Sequence, residues 1–384
     1  MFTKQPPATL FISVLEMGLF KKLSSPPPKG EIKRILLIQP SRIGDIIFSL
    51  PTLSALRRTF PRARITWLVD DRCQDLVEGH PDLDEVLVVP FKAIEEALKK
   101  RDWKGVGQTF SRLKRELRSR SFDLSIDLHG LAKSALLVWM AGARFRIGSA
   151  NTTGMKECSG FFSREIPPRP QDRHTVERNL SVIDFLGGAT REAQFQLTIS
   201  EAARSQVQEI LVSAGRREQE RLVVIHSGAG WLSRRWPADR FAELINTLGL
   251  TPGLQLAVIG GAAGGSPESR LFEQLFSMIR VPVINLVNRL SLKQLIALLK
   301  ETDLFIGNEA GPLHLAAALD RPVVAIIGPT RPELTGPFGP KALIIRKPVS
   351  CSPCRERNCS ELTCMKAIEV TDVLEAVRSV HGVH

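Results

Sequence analysis

Short apolar runs alternate with amphipathic helical stretches along most of this chain, and this alternation limits its fold more than any other feature. It begins after the break formed by Ser24, Ser25 and three prolines at 26–28, and it occurs as two successive series. Such a pattern predicts βαβ units, in which consecutive strands lie parallel in one sheet. Because 384 residues are enough for two domains with a core each, we predict two Rossmann-like α/β domains.

Each series supplies five predicted strands. The first five span residues 34–39, 64–69, 85–89, 122–127 and 144–148, and the second five span 222–226, 256–260, 283–286, 303–306 and 323–327. Between the two sets, Gly and Pro interrupt the rhythm over 152–173, and a helix is predicted over 174–186. These elements place an N-terminal arm at 1–33, a first domain at 34–190, a second domain at 191–370 and a last helix within 371–384.

The charge balance indicates an anionic partner. Lys and Arg outnumber Asp and Glu by 52 to 40, which gives a net charge of +12 and suits nucleic acid, an anionic membrane face or a phosphorylated glycolipid. The excess is densest over residues 92–120, where ten basic residues accompany four acidic ones and Phe110, Leu113 and Leu117 have helical spacing. This segment is either a solvated helix face or a binding patch.

No apolar run is long enough to predict a membrane-spanning helix. Residues 10–23 are apolar, but they include Glu16 and lack both a basic segment before them and a small-residue cleavage site after them, which argues against a signal peptide. They fit an interfacial helix or an arm packed on the protein equally well. We expect a cytoplasmic protein that associates peripherally with the inner face of the cytoplasmic membrane.

The residues that follow each predicted strand are the candidates for function, because ligands of open parallel sheets bind beyond the carboxyl ends of the strands. After the first strand, residues 39–45 form a turn in which Gly44 permits close approach of a ligand and Asp45 opens a helix. An acid at this place is commonly an N-cap. Spacing alone favours that structural role for Asp45.

Two later strand ends predict a phosphate site. Small residues and two arginines follow one strand at 226–237, where backbone N–H groups and guanidinium groups could bind phosphate, although a plain loop is the alternative. At 307–314 another strand leads into a helix that begins near Gly311 and Pro312, whose free N–H groups could hold a diphosphate. Glu309 there suits sugar hydroxyls. The turn at 328–332 could form one wall of the same cleft, or it could have a structural role only.

Together these motifs resemble the heptosyltransferases of glycosyltransferase family 9, from residue 34 to about residue 380. The marks of the resemblance are the Gly44-Asp45 turn, the segments 234–237 and 309–319, and the turn at 328–330. The resemblance implies a GT-B fold of two doubly wound domains that face a central cleft. It also implies an inverting, metal-independent and cofactor-free transfer of heptose or a related sugar from an ADP-sugar to a lipopolysaccharide inner-core acceptor.

The resemblance assigns roles residue by residue. Asp45 matches the catalytic residue of the family, Arg234 stands where a lysine that contacts phosphate is usual, and Glu309 stands where an aspartate is common. The predicted donor-binding residues are Ser227, Gly228, Arg234, Glu268, Glu309, Gly311, Pro312, Leu313 and His314, and the predicted acceptor-binding residues are Arg42, His129 and Lys133.

The mechanism that the resemblance implies needs one general base. Asp45 is the candidate, and Asp127 and His129, which also follow a strand, are its rivals. A helix N-terminus favours the ionised form of a carboxyl group, so we expect Asp45 to be charged and weakly basic.

Four cysteines, Cys351, Cys354, Cys359 and Cys364, lie within fourteen residues. They could hold a structural metal, although their spacing is not that of a standard two-knuckle zinc site; reduced or loosely paired thiols are the alternative. No catalytic metal is expected.

Two other functions compete with glycosyl transfer. A non-catalytic protein that binds sugar nucleotides or lipopolysaccharide would keep the cleft and lack the base. A nucleic-acid-binding protein would explain the charge of +12 but not the motifs at the strand ends. A dinucleotide-dependent dehydrogenase is disfavoured, because no G-x-G-x-x-G follows the first strand. We therefore expect an ADP-sugar donor, an anionic glycolipid acceptor, a peripheral membrane surface and no nucleic acid as partners.

Overall fold

A computed structural model describes residues 26–150, 163–189, 192–261, 266–354 and 356–381 of the protein. Three features predicted from the sequence lie outside these residues. They are most of the N-terminal arm, including its apolar stretch at 10–23, the first part of the interrupted segment 152–173, and the domain boundary between residues 190 and 191.

The first half of the chain forms a parallel sheet of six strands in the order β3-β2-β1-β4-β5-β6. The strands are β1 (Arg34–Ile38), β2 (Arg64–Asp70), β3 (Glu85–Val89), β4 (Leu124–Asp127), β5 (Phe145–Ser149) and β6 (Arg164–Ile166). Ile35 and Leu37 of β1 enter one hydrophobic cluster, whereas Leu36 and Ile38 enter another. Because side chains alternate between the faces of a strand, both faces of this sheet are covered.

Helices provide that cover. They are α1 (Ile43–Thr59), α2 (Phe91–Lys99), α3 (Trp103–Ser119), α4 (Ala132–Ala141) and α5 (Thr175–Phe185). The next helix, α6 (Glu201–Ser213), packs instead against the helix Leu292–Lys300 of the second half. Helix α1 packs against α5, while α2, α3 and α4 pack side by side. Leu113 and Leu117 of α3 are buried in the cluster that contains Leu36 and Ile38, so the basic segment 92–120 lies on the outer surface of this helical layer.

The second half repeats this architecture in the order β12-β11-β10-β7-β8-β9. Its strands are β7 (Arg221–His226), β8 (Leu254–Gly260), β9 (Ile284–Val287), β10 (Leu304–Asn308), β11 (Val323–Ile326) and β12 (Ala342–Ile345). Its helices are α7 (Ala238–Leu248), α8 (Pro267–Met278), α9 (Leu292–Lys300), α10 (Gly311–Ala318), α11 (Pro332–Thr335), α12 (Thr363–Lys366) and α13 (Val370–His381). Two parallel sheets covered by helices confirm the predicted α/β class.

Two strands were missed by the sequence analysis. β6 lies in the segment where the rhythm of the sequence is interrupted, and β12 lies after the last predicted strand. β6 has only three residues, of which Arg164 and Glu165 are charged, and β12 is an edge strand whose residues are partly exposed. β6 therefore lacks the apolar run on which the prediction depends. β12 does present a run of four apolar residues, which was overlooked.

In both sheets the strand order reverses beside the first strand. β1 pairs with β4, with Ile38 opposite Asp127, and β7 pairs with β10, with His226 opposite Gly307. Ligands of doubly wound folds bind at such a switch point, beyond the carboxyl ends of the strands. The sequence-predicted motifs at 39–45, 127–133, 226–237 and 307–314 therefore occupy the two switch points.

The two halves meet at the starts of α1 and α10, which contact each other. A Cβ atom added to Gly44 would lie 3.0 Å from Cδ2 of His314, and one added to Gly311 would lie 2.9 Å from Cβ of Ile43. Glycine is thus needed on both sides for the helices to approach this closely. The contact brings the switch points of the two sheets together.

Among the residues described, no helix combines the length and the apolar character that crossing a bilayer requires.

Candidate active site

Asp45 lies in the first turn of α1 but does not cap the helix. The N-cap position is occupied by Arg42, three residues before Asp45, and no side chain caps this end. The N-cap interpretation of Asp45 is therefore wrong. Arg42 itself adopts a left-handed backbone conformation with φ of 70°, which is uncommon for a residue other than glycine and often marks functional turns.

The carboxylate of Asp45 is electrostatically unusual. Burial raises its pKa from 3.8 to about 6, although the charges of Arg42, Lys133 and Arg234 lower it. The expectation of a weakly basic Asp45 is also wrong, because removal from water outweighs both the helix terminus and the three cations. Within the described part of the chain this carboxylate accepts no hydrogen bond, so its oxygens are open to a substrate hydroxyl.

The three cations come from three different loops. Arg42 precedes α1, Lys133 lies at the start of α4, and Arg234 follows β7 in the second half of the chain. Since all three act on Asp45, the acid lies where the two halves meet. The structure thus brings together the predicted catalytic residue, two predicted acceptor-side cations and one predicted donor-side cation.

Asp127 shapes the loop between β4 and α4. Its Oδ1 accepts the N–H groups of His129 at 2.9 Å and Gly130 at 3.1 Å, and its Oδ2 accepts the hydroxyl of Ser134 at 2.9 Å. Burial raises the pKa of Asp127 to about 6, but both of its oxygens are occupied. Asp127 is therefore better suited to hold the loop than to take a proton from a substrate.

His129 is the other rival base. It is buried, and burial with the charges of Lys133 and Arg42 lowers its pKa to about 3. Such an imidazole is neutral at physiological pH and binds a proton too weakly to match Asp45 as a base.

Arg234 lies beside a carboxylate from the segment 307–314. Its Nη1 lies 3.6 Å from Oε1 of Glu309, which is 2% exposed. The hydroxyls of Thr330 and Thr335 donate to the same carboxylate, which links the turn at 328–330 to this site. Glu309, predicted to meet sugar hydroxyls, is engaged with these protein groups instead.

Asn308 joins the two donor-side loops. Its Nδ2 donates to the carbonyl of Ser227 at 2.7 Å, and its Oδ1 accepts the N–H of Trp236 at 3.1 Å. The side chain is fully buried. Asn308 was not among the predicted site residues, although it ends β10 within the segment 307–314.

The N-terminus of α10 offers fewer free donors than predicted. Pro312 has no N–H, and the N–H groups of Leu313 and His314 donate to the carbonyl of Ala310 at 3.1 and 3.4 Å. Leu313 is fully buried, and His314 packs its ring 4.8 Å from that of Phe48. Among the residues described, Nδ1 of His314 is buried and has no hydrogen-bond partner, and the donor-binding roles of Leu313 and His314 stay predictions.

Glu268 lies beside the loop that follows β7. A Cβ atom on Gly228 would collide with its carboxylate and would lie 3.1 Å from Nε2 of His226. Burial raises the pKa of Glu268, while Arg235 lowers it. The lack of a side chain at Gly228 thus leaves room for Glu268 beside this loop, close to the predicted donor-binding residues Ser227 and Gly228.

One protein-family model matches most of the chain. The model of glycosyltransferase family 9 (heptosyltransferase) matches residues 110–365, two thirds of the chain. The chain belongs to glycosyltransferase family 9.

Curated relatives match most of this glycosyltransferase. Lipopolysaccharide heptosyltransferase 1 of Pseudomonas aeruginosa is 27% identical over 331 residues, which cover 85% of this chain and 87% of the relative. Lipopolysaccharide heptosyltransferase 2 of Salmonella typhimurium is 27% identical over 327 residues, which cover 82% and 88%. The resemblance inferred from the motifs is confirmed.

Solved structures show the same fold. The glycosyl transferase family 9 protein of Veillonella parvula has a TM-score of 0.78 at 24% identity and covers 91% of this chain and 97% of its own. The Escherichia coli heptosyltransferase WaaC with ADP has a TM-score of 0.70 at 21% identity and covers 90% and 99%. The predicted GT-B architecture of this glycosyltransferase is confirmed.

The cysteine-rich segment of this glycosyltransferase carries a cation that the sequence analysis missed. The guanidinium of Arg357 lies 4.9 Å from the centre of the Trp231 ring, and that of Arg234 lies 3.9 Å from the same ring. The N–H of Ser233 donates to the carbonyl of Arg357 at 3.2 Å. The signal was hidden because Arg357 lies more than a hundred residues after the loop that it contacts.

The four cysteines themselves do not form a metal site in this structure. Cys364 is buried, Cys351 is exposed, and Cys354 and Cys359 are partly buried, all as free thiols. Across the described ranges no three Cys, His, Asp or Glu side chains are arranged to hold one metal ion. The structural metal and the reduced thiols both stay predictions.

The raised pKa of Asp45 predicts that the site costs stability. Because the folded protein holds this proton more tightly than the unfolded chain, stability is lost as the pH rises from about 4 to about 6. Asp45→Asn should therefore raise Tm by about 2–4 °C at pH 8 and have little effect at pH 4. Calorimetry of both proteins across this range tests the prediction.

The matched control is Asp239→Asn, which changes an exposed acid in the first turn of α7 and should not raise Tm at either pH, because a carboxylate at a helix N-terminus is weakly stabilising. A lower Tm for Asp45→Asn at pH 8 would show that the charge of Asp45 stabilises the fold, contrary to this account.

Proposed function

We propose that this glycosyltransferase transfers a heptose from ADP-heptose to the inner core of lipopolysaccharide, with Asp45 as general base. The observation that carries the proposal is the accessible Asp45 carboxylate with a raised pKa, which faces cations from both halves of the chain. The relatives named lipopolysaccharide heptosyltransferase 1 and 2, and the structure of WaaC with ADP, support the choice of donor and acceptor.

Residues 34–190 would bind the acceptor and residues 191–370 the donor. Arg42, Lys133 and His129 lie in the first of these segments, where two cations suit phosphate or carboxylate groups of an anionic glycolipid. Arg234, Glu268 and the α10 turn lie in the second, which follows the pattern of a nucleotide site at a switch point. Transfer then takes place at Asp45, between the two segments.

The chemistry is a single displacement at the anomeric carbon. Asp45 takes the proton of the acceptor hydroxyl while the new C–O bond forms and the bond to ADP breaks. Attack from the face opposite ADP inverts the anomeric configuration. A pKa of about 6 keeps Asp45 ionised at neutral pH and leaves it basic enough to share the proton in the transition state.

The charge that develops on ADP needs stabilisation. Arg234 and Arg357 flank Trp231 on the donor side, and guanidinium groups bind diphosphate oxygens through charge-assisted hydrogen bonds. The ion pair with Glu309 fixes the position of Arg234 before the donor binds. With these cations in place, we propose that turnover requires neither a divalent metal ion nor a cofactor.

Loss of the base should abolish most turnover. Asp45→Asn keeps the shape of the side chain but cannot accept the proton, so kcat should fall by about 10²- to 10⁴-fold with little change in ADP binding. Single-turnover transfer and calorimetric titration with ADP measure the two quantities.

Asp239→Asn again serves as the control and should retain wild-type turnover. If Asp45→Asn transfers sugar at nearly the wild-type rate, Asp45 is not the base. A protein that binds ADP-sugar without turnover in any form would instead support the non-catalytic alternative.

Arg357 offers a test of the donor site. Arg357→Ala should lower kcat/KM for the donor by about 10- to 100-fold, the worth of a hydrogen bond to a charged group, and the loss should be the same with EDTA or magnesium present. Steady-state kinetics at varied donor concentration gives this number.

Arg217→Ala is the matched control, since Arg217 precedes β7, at the opposite end of that strand from the candidate site, and pairs with Glu220. Unchanged donor kinetics in Arg357→Ala would place the diphosphate elsewhere, and complete loss of wild-type activity in EDTA would contradict metal-independent transfer.

A further inference from the structure

The hairpin formed by α2 and α3 ends in an exposed apolar and basic tip. We call residues 98–104 the hairpin tip; all seven are exposed. Leu98 is 41% exposed and Trp103 is 68% exposed, although burying a large apolar side chain is favourable. Four cations, Lys99, Lys100, Arg101 and Lys104, stand beside them in the sequence. The tip therefore combines apolar and cationic groups at one convex point.

The cations of the tip are not neutralised within the described part of the chain. The only acid among these residues is Asp102, whose Oδ1 accepts the N–H of Gly105 at 2.9 Å and caps α3. No ion pair joins Lys99, Lys100, Arg101 or Lys104 to a carboxylate among the residues described. Four unpaired positive charges attract an anionic surface.

The tip lies on the acceptor side of the site. Helix α2 begins at Phe91, whose ring centre is 5.2 Å from Nζ of Lys133, and the charge of Lys133 acts on Asp45. A helix of nine residues spans about 13 Å. The tip thus lies about the length of this one short helix from Lys133, the acceptor-side cation.

We propose that the hairpin tip docks this protein on an anionic phospholipid bilayer. Trp103 and Leu98 enter the interface between headgroups and acyl chains, where indole rings are favoured, and the four cations meet lipid phosphates. This inference rests on the proposed function, because docking of the tip would bring Lys133 close to an acceptor that is anchored in the bilayer.

A nucleic acid fits the tip less well. Single-stranded nucleic acid needs a groove lined by aromatic rings on which bases stack, whereas the tip is convex and has one indole beside an aliphatic side chain. Leu98 has no ring for a base to stack on, but it partitions readily into a bilayer interface.

Sedimentation with phospholipid vesicles tests the proposal on the full chain. Wild-type protein should bind phosphatidylglycerol-containing vesicles, bind phosphatidylcholine vesicles weakly, and be released by salt. Trp103→Ala should weaken binding at least about tenfold. The triple variant K99Q/K100Q/K104Q should weaken it by about 10²-fold, since each cation near such a surface is worth about fivefold.

Trp139→Ala is the matched control. Trp139 is also an exposed indole of the same helical layer, 38% exposed, but Nζ of Lys114 lies 4.4 Å from its ring centre and it is outside the tip. This variant should bind vesicles as the wild type does. Equal binding by Trp103→Ala and the wild type, or equal losses in Trp103→Ala and Trp139→Ala, would overturn the proposal.

Activity separates docking from catalysis. With an acceptor embedded in anionic vesicles, Trp103→Ala should raise the acceptor KM, whereas with a deacylated, water-soluble acceptor it should leave kcat/KM unchanged. A loss with both acceptors would assign the tip to the sugar site and contradict docking. An active Asp45→Asn variant would overturn the proposed mechanism and leave the vesicle result standing. Binding of oligonucleotide through the tip, without binding of vesicles, would point to nucleic acid instead.

Discussion

The burial of one carboxylate among three cations is the interaction on which this site depends. Asp45 is removed from water far enough to raise its pKa to about 6, even though Arg42, Lys133 and Arg234 pull the pKa down. Without the cations the buried carboxyl group would stay protonated to a still higher pH, and without the burial it would be a poor base. The two opposing effects leave a group that is ionised near neutral pH and still basic.

The cations depend in turn on a second set of buried polar groups. Asp127 fixes the loop that leads to Lys133, Glu309 holds Arg234, and Asn308 ties the loop after β7 to Trp236. The contact of α1 with α10 across Gly44 and Gly311 then brings these loops together. Activity is therefore expected to be sensitive to residues that never touch a substrate, because they set the positions of those that do.

Local patterns predicted the parts of this protein but not their electrostatics. Apolar runs located ten of the twelve strands found in the described residues, to within two residues at every end. The strand-end rule located Asp45 and Arg234, whereas Lys133 was assigned through the family resemblance. Burial depends on the packing of both halves, so the pKa of Asp45 could not be predicted from a helix terminus alone. The contact of Arg357 with Trp231 and the hydrogen bond from Thr330 to Glu309 could not be predicted either, because each joins segments that are distant in the sequence.

The dependence of kcat/KM on pH tests the role of Asp45 most directly. Because kcat/KM reports ionisations of the free enzyme, its acid limb in the wild-type protein should fall with a pKa of about 6 and should be absent from the residual activity of Asp45→Asn. An acid limb near the ordinary pKa of aspartate, about 4, or one that persists unchanged in Asp45→Asn, would contradict the assignment of Asp45 as the buried general base.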